Sequence, residues 1–356
     1  MLQKPDMMQL LKTAVEKRAS DLHITVGRPP VLRIDGELVD LDYEPLDSEA
    51  ARYLIYSLLV HQQRDVFEDD FDLDFAYHHS QIGRFRVNLY RQKGHVGAAL
   101  RVIPSEIPSL AELGLPEILG QLAMLPSGLV IITGPSGCGK STTLAAMIDI
   151  INTRRKCHIV TIEDPIEFLH QHKSSMITQR EVASDTKSLQ AAAKHVLRHN
   201  PDVILIGEMR DLETMEMAIT AAETGHLVLT TLHTLDAPQS VDRIVDFFNP
   251  HQQQQIRTQL GGALRAVIAQ QLLPHASGSG RTPALEIMIA TTGMKNLIRK
   301  GDTHQLYSVI QTGGQSGMQT MNQCLRDMVS GGLIDAEAAE GHSPDAEELR
   351  RMILSG

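Results

Sequence analysis

The sequence predicts an α/β protein in which a parallel sheet, covered by helices, follows a smaller α+β domain. The chain has 356 residues, more than one hydrophobic core usually holds, so two domains are expected. In its middle part, continuous apolar runs alternate with helical stretches, which is the pattern of a parallel sheet. Before this part, the composition changes at a segment with three prolines. We therefore predict an N-terminal domain at residues 1–103, a linker at 104–116, an α/β core at 117–290 and a helical C-terminal region at 291–356.

Alternation of apolar and polar residues predicts the strands of the N-terminal domain. Residues 71–77, FDLDFAY, alternate apolar with acidic side chains, as a half-buried strand does. Residues 83–92 place Phe85, Val87 and Leu89 on one face and polar side chains on the other. A further strand is expected at residues 95–103.

The α/β core is predicted from apolar runs that turn residues separate. Strands are expected at residues 129–134, 158–164, 202–208 and 226–233. Helices are expected between them, at residues 140–152, 186–199 and 212–224. Runs that are apolar throughout indicate strands that are covered on both faces.

The composition limits the partners and the compartment. Asp and Glu number 43 against 33 Lys and Arg, whereas proteins that bind a nucleic-acid backbone usually carry a basic surface. A nucleic-acid partner is therefore not expected. The three cysteines, Cys138, Cys157 and Cys324, lack the spacing of a disulfide framework or a zinc site, which fits a reducing cytosol. No segment is apolar enough to span a bilayer, so a cytoplasmic protein is expected and any membrane association would be indirect.

Residues 134–142, GPSGCGKST, satisfy the phosphate-binding pattern G-x-x-x-x-G-K-S/T between an apolar strand and a helix. Glycines allow consecutive backbone amides to turn toward phosphates, and the helix N-terminus favours negative charge. Lys140 is expected to reach the β- and γ-phosphates of ATP, and Ser141 to ligate Mg²⁺. The predicted nucleotide-binding residues are Gly134, Pro135, Ser136, Gly137, Cys138, Gly139, Lys140, Ser141 and Thr142.

Two predicted strands end in carboxylates that could serve hydrolysis. Residues 202–208 end in Glu208, the setting for a Walker B acid, which we expect beside the P-loop strand and near Mg²⁺. Residues 158–164 end in Glu163 and Asp164, which are candidates for activating a water molecule. A turn or helix cap is the other explanation for an aspartate in this place. Spacing alone does not decide whether Glu163 or Glu208 is the base.

Histidines and arginines complete the candidate set. His226 and His233 flank a strand predicted beside the P-loop strand, where His233 could contact the γ-phosphate. A histidine at a strand end can equally be a simple polar terminus. A guanidinium matches the γ-phosphate oxygens, and ring ATPases supply one from a neighbouring subunit. The candidate arginines are Arg84, Arg86, Arg101, Arg210, Arg243 and Arg281.

The motifs GPSGCGKSTTLAAMIDIIN, TIEDPIEF, NPDVILIGEMRD and GHLVLTTLHT together resemble the secretion ATPase superfamily, and more narrowly the type IV pilus retraction ATPases. The resemblance covers nearly the whole chain. It implies a PAS-like N-terminal domain, a RecA-like ATPase core and a hexameric ring with ATP between subunits. It also implies a platform protein of the inner membrane as the partner that receives the force. Finally, it favours Glu163 as the water-activating carboxylate, places Glu208 near Mg²⁺ and gives Arg84 a part in closing the site.

Within the superfamily, the short N-terminal region favours the retraction branch, because extension and type II secretion ATPases carry further N-terminal domains and commonly a four-cysteine metal site. Residues 290–301, ATTGMKNLIRKG, resemble a box of the retraction family. Met294 and Lys295 stand there in place of Ile and Arg, and Lys300 in place of an acidic residue. Four alternatives stay open: an accessory retraction ATPase, an assembly or secretion ATPase, a nucleic-acid motor and a non-hydrolysing scaffold. An accessory retraction ATPase could also be a partner of this chain.

Overall fold

The computed structural model describes residues 5–34, 36–104, 106–278 and 280–355, and these divide into two compact units. The N-terminal unit comprises the described residues up to Glu106 together with residues 167–169. The P-loop unit comprises the described residues of 107–166 and 170–356. The helices that follow residue 291 therefore belong to the same compact unit as the P-loop.

The N-terminal unit is an antiparallel sheet with three helices. Its strands are β1 (Asp21–Ile24), β2 (Val31–Ile34), β3 (Glu37–Asp40), β4 (Asp72–His79), β5 (Gly83–Gln92) and β6 (His95–Ile103), and its helices are α1 (Met7–Glu16), α2 (Ser48–Tyr56) and α3 (His61–Asp70). The strand order is β3-β2-β1-β6-β5-β4. Phe85, Val87 and Leu89 on β5 are fully buried in one apolar cluster, which confirms the predicted alternation.

The P-loop unit is built on a seven-stranded sheet. Its strands are β7 (Gly128–Thr133), β8 (His158–Glu163), β9 (Met176–Glu181), β10 (Val203–Ile206), β11 (Leu227–Thr231), β12 (Leu264–Pro274) and β13 (Arg281–Ile289). The order is β13-β12-β7-β11-β10-β8-β9, and every pairing is parallel except that of β12 with β13. The sheet is thus a parallel sheet with one antiparallel edge strand.

Helices cover both faces of this sheet and form the C-terminal part. They are α4 (Ile118–Ala123), α5 (Lys140–Arg154), α6 (Leu189–Val196), α7 (Leu212–Glu223), α8 (Ala237–Asp246), α9 (Pro250–Ala263), α10 (Thr292–Lys300), α11 (Leu306–Thr312), α12 (Met321–Ser330), α13 (Ala336–His342) and α14 (Ala346–Ser355). The predicted helical C-terminal region is confirmed by α10 to α14. Within the described residues, no helix is both long enough and apolar enough to cross a membrane.

The apolar runs of the sequence fold into the central strands, as predicted. Every residue of β7, β10 and β11 is buried. Alternate residues of each strand enter different apolar clusters: Leu129 and Ile131 of β7 belong to one, and Val130 and Ile132 to another. Burial on both faces explains why these strands are apolar throughout.

The position of β10 corrects one expectation. We expected Glu208, which follows β10, beside the P-loop strand β7, but β11 pairs with β7 on one side and with β10 on the other. With strands about 4.8 Å apart, β10 therefore runs about 10 Å from β7. The sequence could not reveal this insertion because all these strands are equally apolar. The strand before His233, β11, does pair with β7 as expected.

Candidate nucleotide-binding site

The P-loop joins the end of β7 to the start of α5, and its glycines are required by the backbone. Gly134 has a φ of 141°, and a Cβ added there would lie 2.2 Å from the carbonyl oxygen of Gln270. Gly139 has a φ of 89°, and its added Cβ would lie 2.9 Å from Nε2 of the same glutamine. Residues 135–137 are exposed, whereas Cys138 is buried. The loop therefore starts and ends against β12 and presents its middle part outward.

Lys140 begins α5 and its side chain folds back across the loop. Its Nζ donates hydrogen bonds to the carbonyl oxygens of Gly134 at 2.8 Å and Pro135 at 3.0 Å, and the residue is only 8% exposed. A buried ammonium in the middle of a loop rich in backbone amides is well suited to bind an anion. Burial raises the pKa of the neighbouring Cys138 thiol, and the charge of Lys140 acts in the opposite direction.

Gln270, which lies on β12 and is 2% exposed, was not among the predicted site residues. Its Nε2 donates to the carbonyl oxygen of Cys138 at 2.6 Å, and its Oε1 accepts from Thr143 Oγ1 at 2.8 Å. The available signal was a pair of amides, Gln270 and Gln271, inside an otherwise apolar run. A buried amide must be hydrogen-bonded, and here its partners are the loop and the first turn of α5.

Because β7, β11, β10 and β8 are parallel, the segments that follow them meet at one edge of the sheet. The order of the strands places the P-loop first, then His233, Glu208 and Glu163. The predicted residues Lys140, His233, Glu208 and Glu163 thus share the carboxyl edge of a single sheet. Ser141 and Thr142 lie in the first turn of α5 and are partly buried.

Glu208 is held from two sides. His233 Nε2 lies 3.1 Å from its Oε2, and Arg210 Nε lies 2.6 Å from its Oε1. The carboxylate side chain is 14% exposed, against 46% for His233 and 69% for Arg210. Thr231 Oγ1 also donates to the carbonyl oxygen of Gly207 at 2.6 Å and ties the ends of β11 and β10 together. Arg210, a candidate for action in a neighbouring subunit, is thus engaged with a carboxylate of its own chain.

Glu163 ends β8 and its carboxylate is positioned by neighbours. Its Oε1 accepts hydrogen bonds from Thr161 Oγ1 at 2.5 Å and from Gln179 Nε2 at 3.2 Å. Gln179 lies on β9, a strand that the sequence did not predict because its residues, MITQRE, are largely polar. Two donors on one oxygen orient the carboxyl group at the strand end.

Among the remaining candidates of the P-loop unit, His226 does not join this group. His226 lies at the opposite end of β11, where its Nδ1 is 3.0 Å from the carbonyl oxygen of Ala221. Arg101 is paired with Asp21, and the guanidinium of Arg243 lies over the ring of Phe247. Arg84 lies on β5 of the N-terminal unit, so its part in closing the site stays a prediction.

A cavity of about 390 Å³ adjoins the P-loop on the side of β12 and β13. Gly139, Thr142 and Thr143 line it from the loop and its helix, Gln270 lines it from β12, and the rest of its lining is largely apolar. The other lining residues are Leu113, Leu115, Leu272 and Pro283, together with Glu112, Gly280 and Arg281. A mostly apolar space next to an anion-binding loop has the character of a nucleoside pocket.

A P-loop at the end of β7, with glutamates after two further strands of the same edge, defines a P-loop ATPase. The chain matches the model of a family described as "Type II/IV secretion system protein" over residues 3–340. The chain belongs to this family of secretion ATPases.

Three comparisons give the degree of similarity. The chain is 46% identical to the "Type IV pilus retractation ATPase PilT" of Pseudomonas aeruginosa over 94% of its own length and 97% of that protein. It is 44% identical to the "Type IV pilus ATPase PilU" of the same organism, over 98% of this chain and 91% of that protein. A crystal structure of the pilus retraction motor PilT with bound ADP superposes with a TM-score of 0.92 at 46% identity, over 98% of this chain and 99% of that one.

Proposed function

We propose that this chain is an ATP-driven motor that powers type IV pilus retraction. The proposal rests above all on 46% identity, over 94% of the chain, with a protein named for pilus retraction. The presence of Lys140, Glu163 and Glu208 at one sheet edge supports it, because a chain that had lost catalysis would not need to keep these three residues together.

The proposed reaction is cleavage of the bond between the β- and γ-phosphates of ATP. The loop amides and Lys140 bind the phosphates, and Glu163 accepts a proton from the water that attacks the γ-phosphorus. Glu208, which His233 and Arg210 hold, would help to bind the metal ion, and His233 is our candidate for sensing the γ-phosphate. The cavity of about 390 Å³ beside Gly139 takes the adenosine part of the nucleotide.

Mg²⁺ is the proposed metal cofactor. The Ser141 hydroxyl and the Glu208 carboxylate are hard oxygen donors, the type that Mg²⁺ prefers. Ser141 lies where α5 begins and Glu208 follows the end of β10, at the same sheet edge. When bound, the ion would neutralise charge on the β- and γ-phosphate oxygens. His233 and Arg210 fix the carboxylate that is to receive it.

The proposed assembly is a homo-hexamer. ATP binding between subunits would draw an arginine, for which Arg84 is our candidate, toward the γ-phosphate, and hydrolysis would release it. The proposed partner is a platform protein of the inner membrane, approached from the cytoplasmic side, and no nucleic acid is involved.

A second candidate is an accessory retraction ATPase, because identity to PilU, at 44%, is close to that with PilT, at 46%. An accessory ATPase of this kind would need another retraction ATPase in the cell. A paralogous ATPase is therefore a further possible partner of this chain.

Purified protein tests the enzymatic part. We expect Mg²⁺-dependent ATP hydrolysis that Lys140→Ala abolishes, together with a mass of six chains in light scattering when nucleotide is present. Lys156→Ala is the matched control, since Lys156 is an exposed lysine of the same unit outside the loop. Normal turnover in Lys140→Ala would refute the assignment, and absence of hydrolysis in the wild type would favour a scaffold.

Deletion of the gene tests the direction of the work. Hyperpiliated cells without twitching motility indicate retraction, whereas cells without pili indicate assembly. Expression of the chain in a host that lacks every other retraction ATPase then separates the two remaining candidates. Restored motility supports the main motor, and restoration only when another retraction ATPase is present supports the accessory role.

A further inference from the structure

We propose that Gln270 is a positioning residue that aims the backbone amide of Gly139 at the nucleotide phosphates. The proposal rests on the nucleotide site proposed above and assigns a function to a strand, β12, that carries none of the motif residues. Gln270 is in contact with both ends of the P-loop, since it is the neighbour that a Cβ at Gly134 or at Gly139 would meet first.

The hydrogen bond from Gln270 Nε2 to the carbonyl oxygen of Cys138, at 2.6 Å, fixes one peptide plane of the loop. In a trans peptide the C=O of one residue and the N–H of the next point in opposite directions. With the Cys138 carbonyl directed at β12, the Gly139 N–H must point away from β12. The side chain of Gln270 thereby selects the orientation that a phosphate-binding amide requires.

The other half of the amide fixes the helix. Gln270 Oε1 accepts from Thr143 Oγ1 at 2.8 Å, and the Thr143 amide donates to the carbonyl oxygen of Gly139 at 3.0 Å. One side chain therefore joins the last turn of the loop to the first turn of α5, the turn that carries Lys140 and Ser141. Both polar atoms of the glutamine are used, and the residue is 2% exposed.

The strand explains why the glutamine stands here. β12 pairs with β7 up to Ala269 opposite Thr133, so Gln270 comes next to Gly134, where β7 turns into the loop. Gln271 faces away and exchanges hydrogen bonds with His342: its Nε2 lies 3.3 Å from the His342 carbonyl oxygen, and its Oε1 lies 2.8 Å from His342 Nδ1. Two neighbouring amides of equal size thus contact different parts of the unit.

The experiment measures binding of ADP by titration calorimetry, ATP turnover and thermal unfolding for Gln270→Met, with Gln271→Met as the matched control. Methionine keeps the length of the side chain and removes both hydrogen bonds. We expect Gln270→Met to weaken ADP binding and raise KM for ATP by about 10-fold or more, and Gln271→Met to lower the midpoint of thermal unfolding alone.

Thr143→Val tests the same contact from its other side and replaces Gln270→Met if that variant does not fold. We expect weaker ADP binding in Thr143→Val, recovery in Thr143→Ser, and an effect in the double variant that is smaller than the sum of the two. Wild-type affinity in Gln270→Met and Thr143→Val, with only the thermal midpoint reduced, would overturn the positioning role. Failure of the wild type itself to bind ADP would instead overturn the proposed function.

Discussion

His233 Nε2 lies 3.1 Å from Oε2 of Glu208, and the two residues follow the ends of the neighbouring parallel strands β11 and β10. The partial burial of the carboxylate, 14% exposed, makes this contact more than a surface pair. If Glu208 serves the proposed hydrolysis, His233 acts through this glutamate as well as by any contact of its own with nucleotide.

On the proposed role of Glu208 at Mg²⁺, His233→Ala should lower kcat by about 10- to 100-fold, the usual effect of removing a partner that orients a metal-site carboxylate. Glu208 would keep only the contact with Arg210, so the Mg²⁺ concentration that gives half-maximal turnover should rise. The control is His226→Ala at the other end of β11, which should leave kcat unchanged. Equal losses in both variants would show that the strand, and not the contact with Glu208, was disturbed.

Replacing each glutamate by glutamine distinguishes the roles of Glu163 and Glu208. Glu163→Gln keeps the size of the side chain but cannot accept a proton, so kcat should fall by about 10²- to 10⁴-fold while ATP binding is retained. Glu208→Gln should instead shift the Mg²⁺ dependence to higher concentration and recover part of its turnover there. Steady-state kinetics over a range of Mg²⁺ concentrations distinguishes the two variants. If Glu208→Gln lost kcat and Glu163→Gln shifted the Mg²⁺ dependence, Glu208 would be the base.

Gly134→Ala should destroy the nucleotide site. The added Cβ would lie 2.2 Å from the carbonyl oxygen of Gln270, at a φ of 141° that alanine rarely adopts. We expect loss of measurable ADP binding in calorimetry and a lower thermal midpoint. Gly262→Ala, an exposed helical position with open space around it, should leave binding intact and be neutral or slightly stabilising. Normal binding in Gly134→Ala would mean that β12 can move away from the loop.

The sequence predicted the parts of this site that depend on local pattern and missed those that depend on strand order. The P-loop, Glu163, Glu208 and His233 each follow an apolar strand, and that pattern is visible in a single segment. The insertion of β11 between β7 and β10 is a property of the whole sheet, and no residue of β10 encodes it. Gln270 was missed for the same reason, because its importance arises from the pairing of β12 with β7.

Arg84 lies on β5 with Arg86 two residues further along the same face, and only the former is partly buried. If Arg84 serves the nucleotide site, Arg84→Ala should lower kcat at saturating ATP by about 10-fold or more, and Arg84→Lys should not restore it, because lysine lacks the planar fork of the guanidinium. Arg86→Ala, at the exposed second candidate on the same strand, should be close to wild type if Arg84 is the arginine that serves the site. Wild-type activity in Arg84→Ala, Arg84→Lys and Arg86→Ala would exclude Arg84 as the arginine that closes the site.

Glu286 should make the stability of the protein depend on pH near neutrality. It is 2% exposed, accepts a hydrogen bond from the Ala237 amide at 2.8 Å, and has its pKa raised to about 7, chiefly by burial and further by Asp236. Because the folded-state pKa lies above the unfolded value near 4.5, the stabilisation is complete below pH 4.5 and is lost as pH rises through 7. Between pH 5 and pH 8 the free energy of unfolding should fall by up to about 3 kcal/mol from this group.

Urea unfolding at pH 5, 6, 7 and 8 measures this trend. Glu286→Gln should remove most of the decline, whatever its effect at a single pH, since an amide does not titrate. The control is Glu340→Gln: the hydrogen bond from Arg350 lowers the pKa of Glu340, so its stabilisation is lost only as pH falls below the usual carboxyl range. That variant should therefore follow the wild-type slope between pH 5 and pH 8. A wild-type slope in Glu286→Gln would assign the decline to another group.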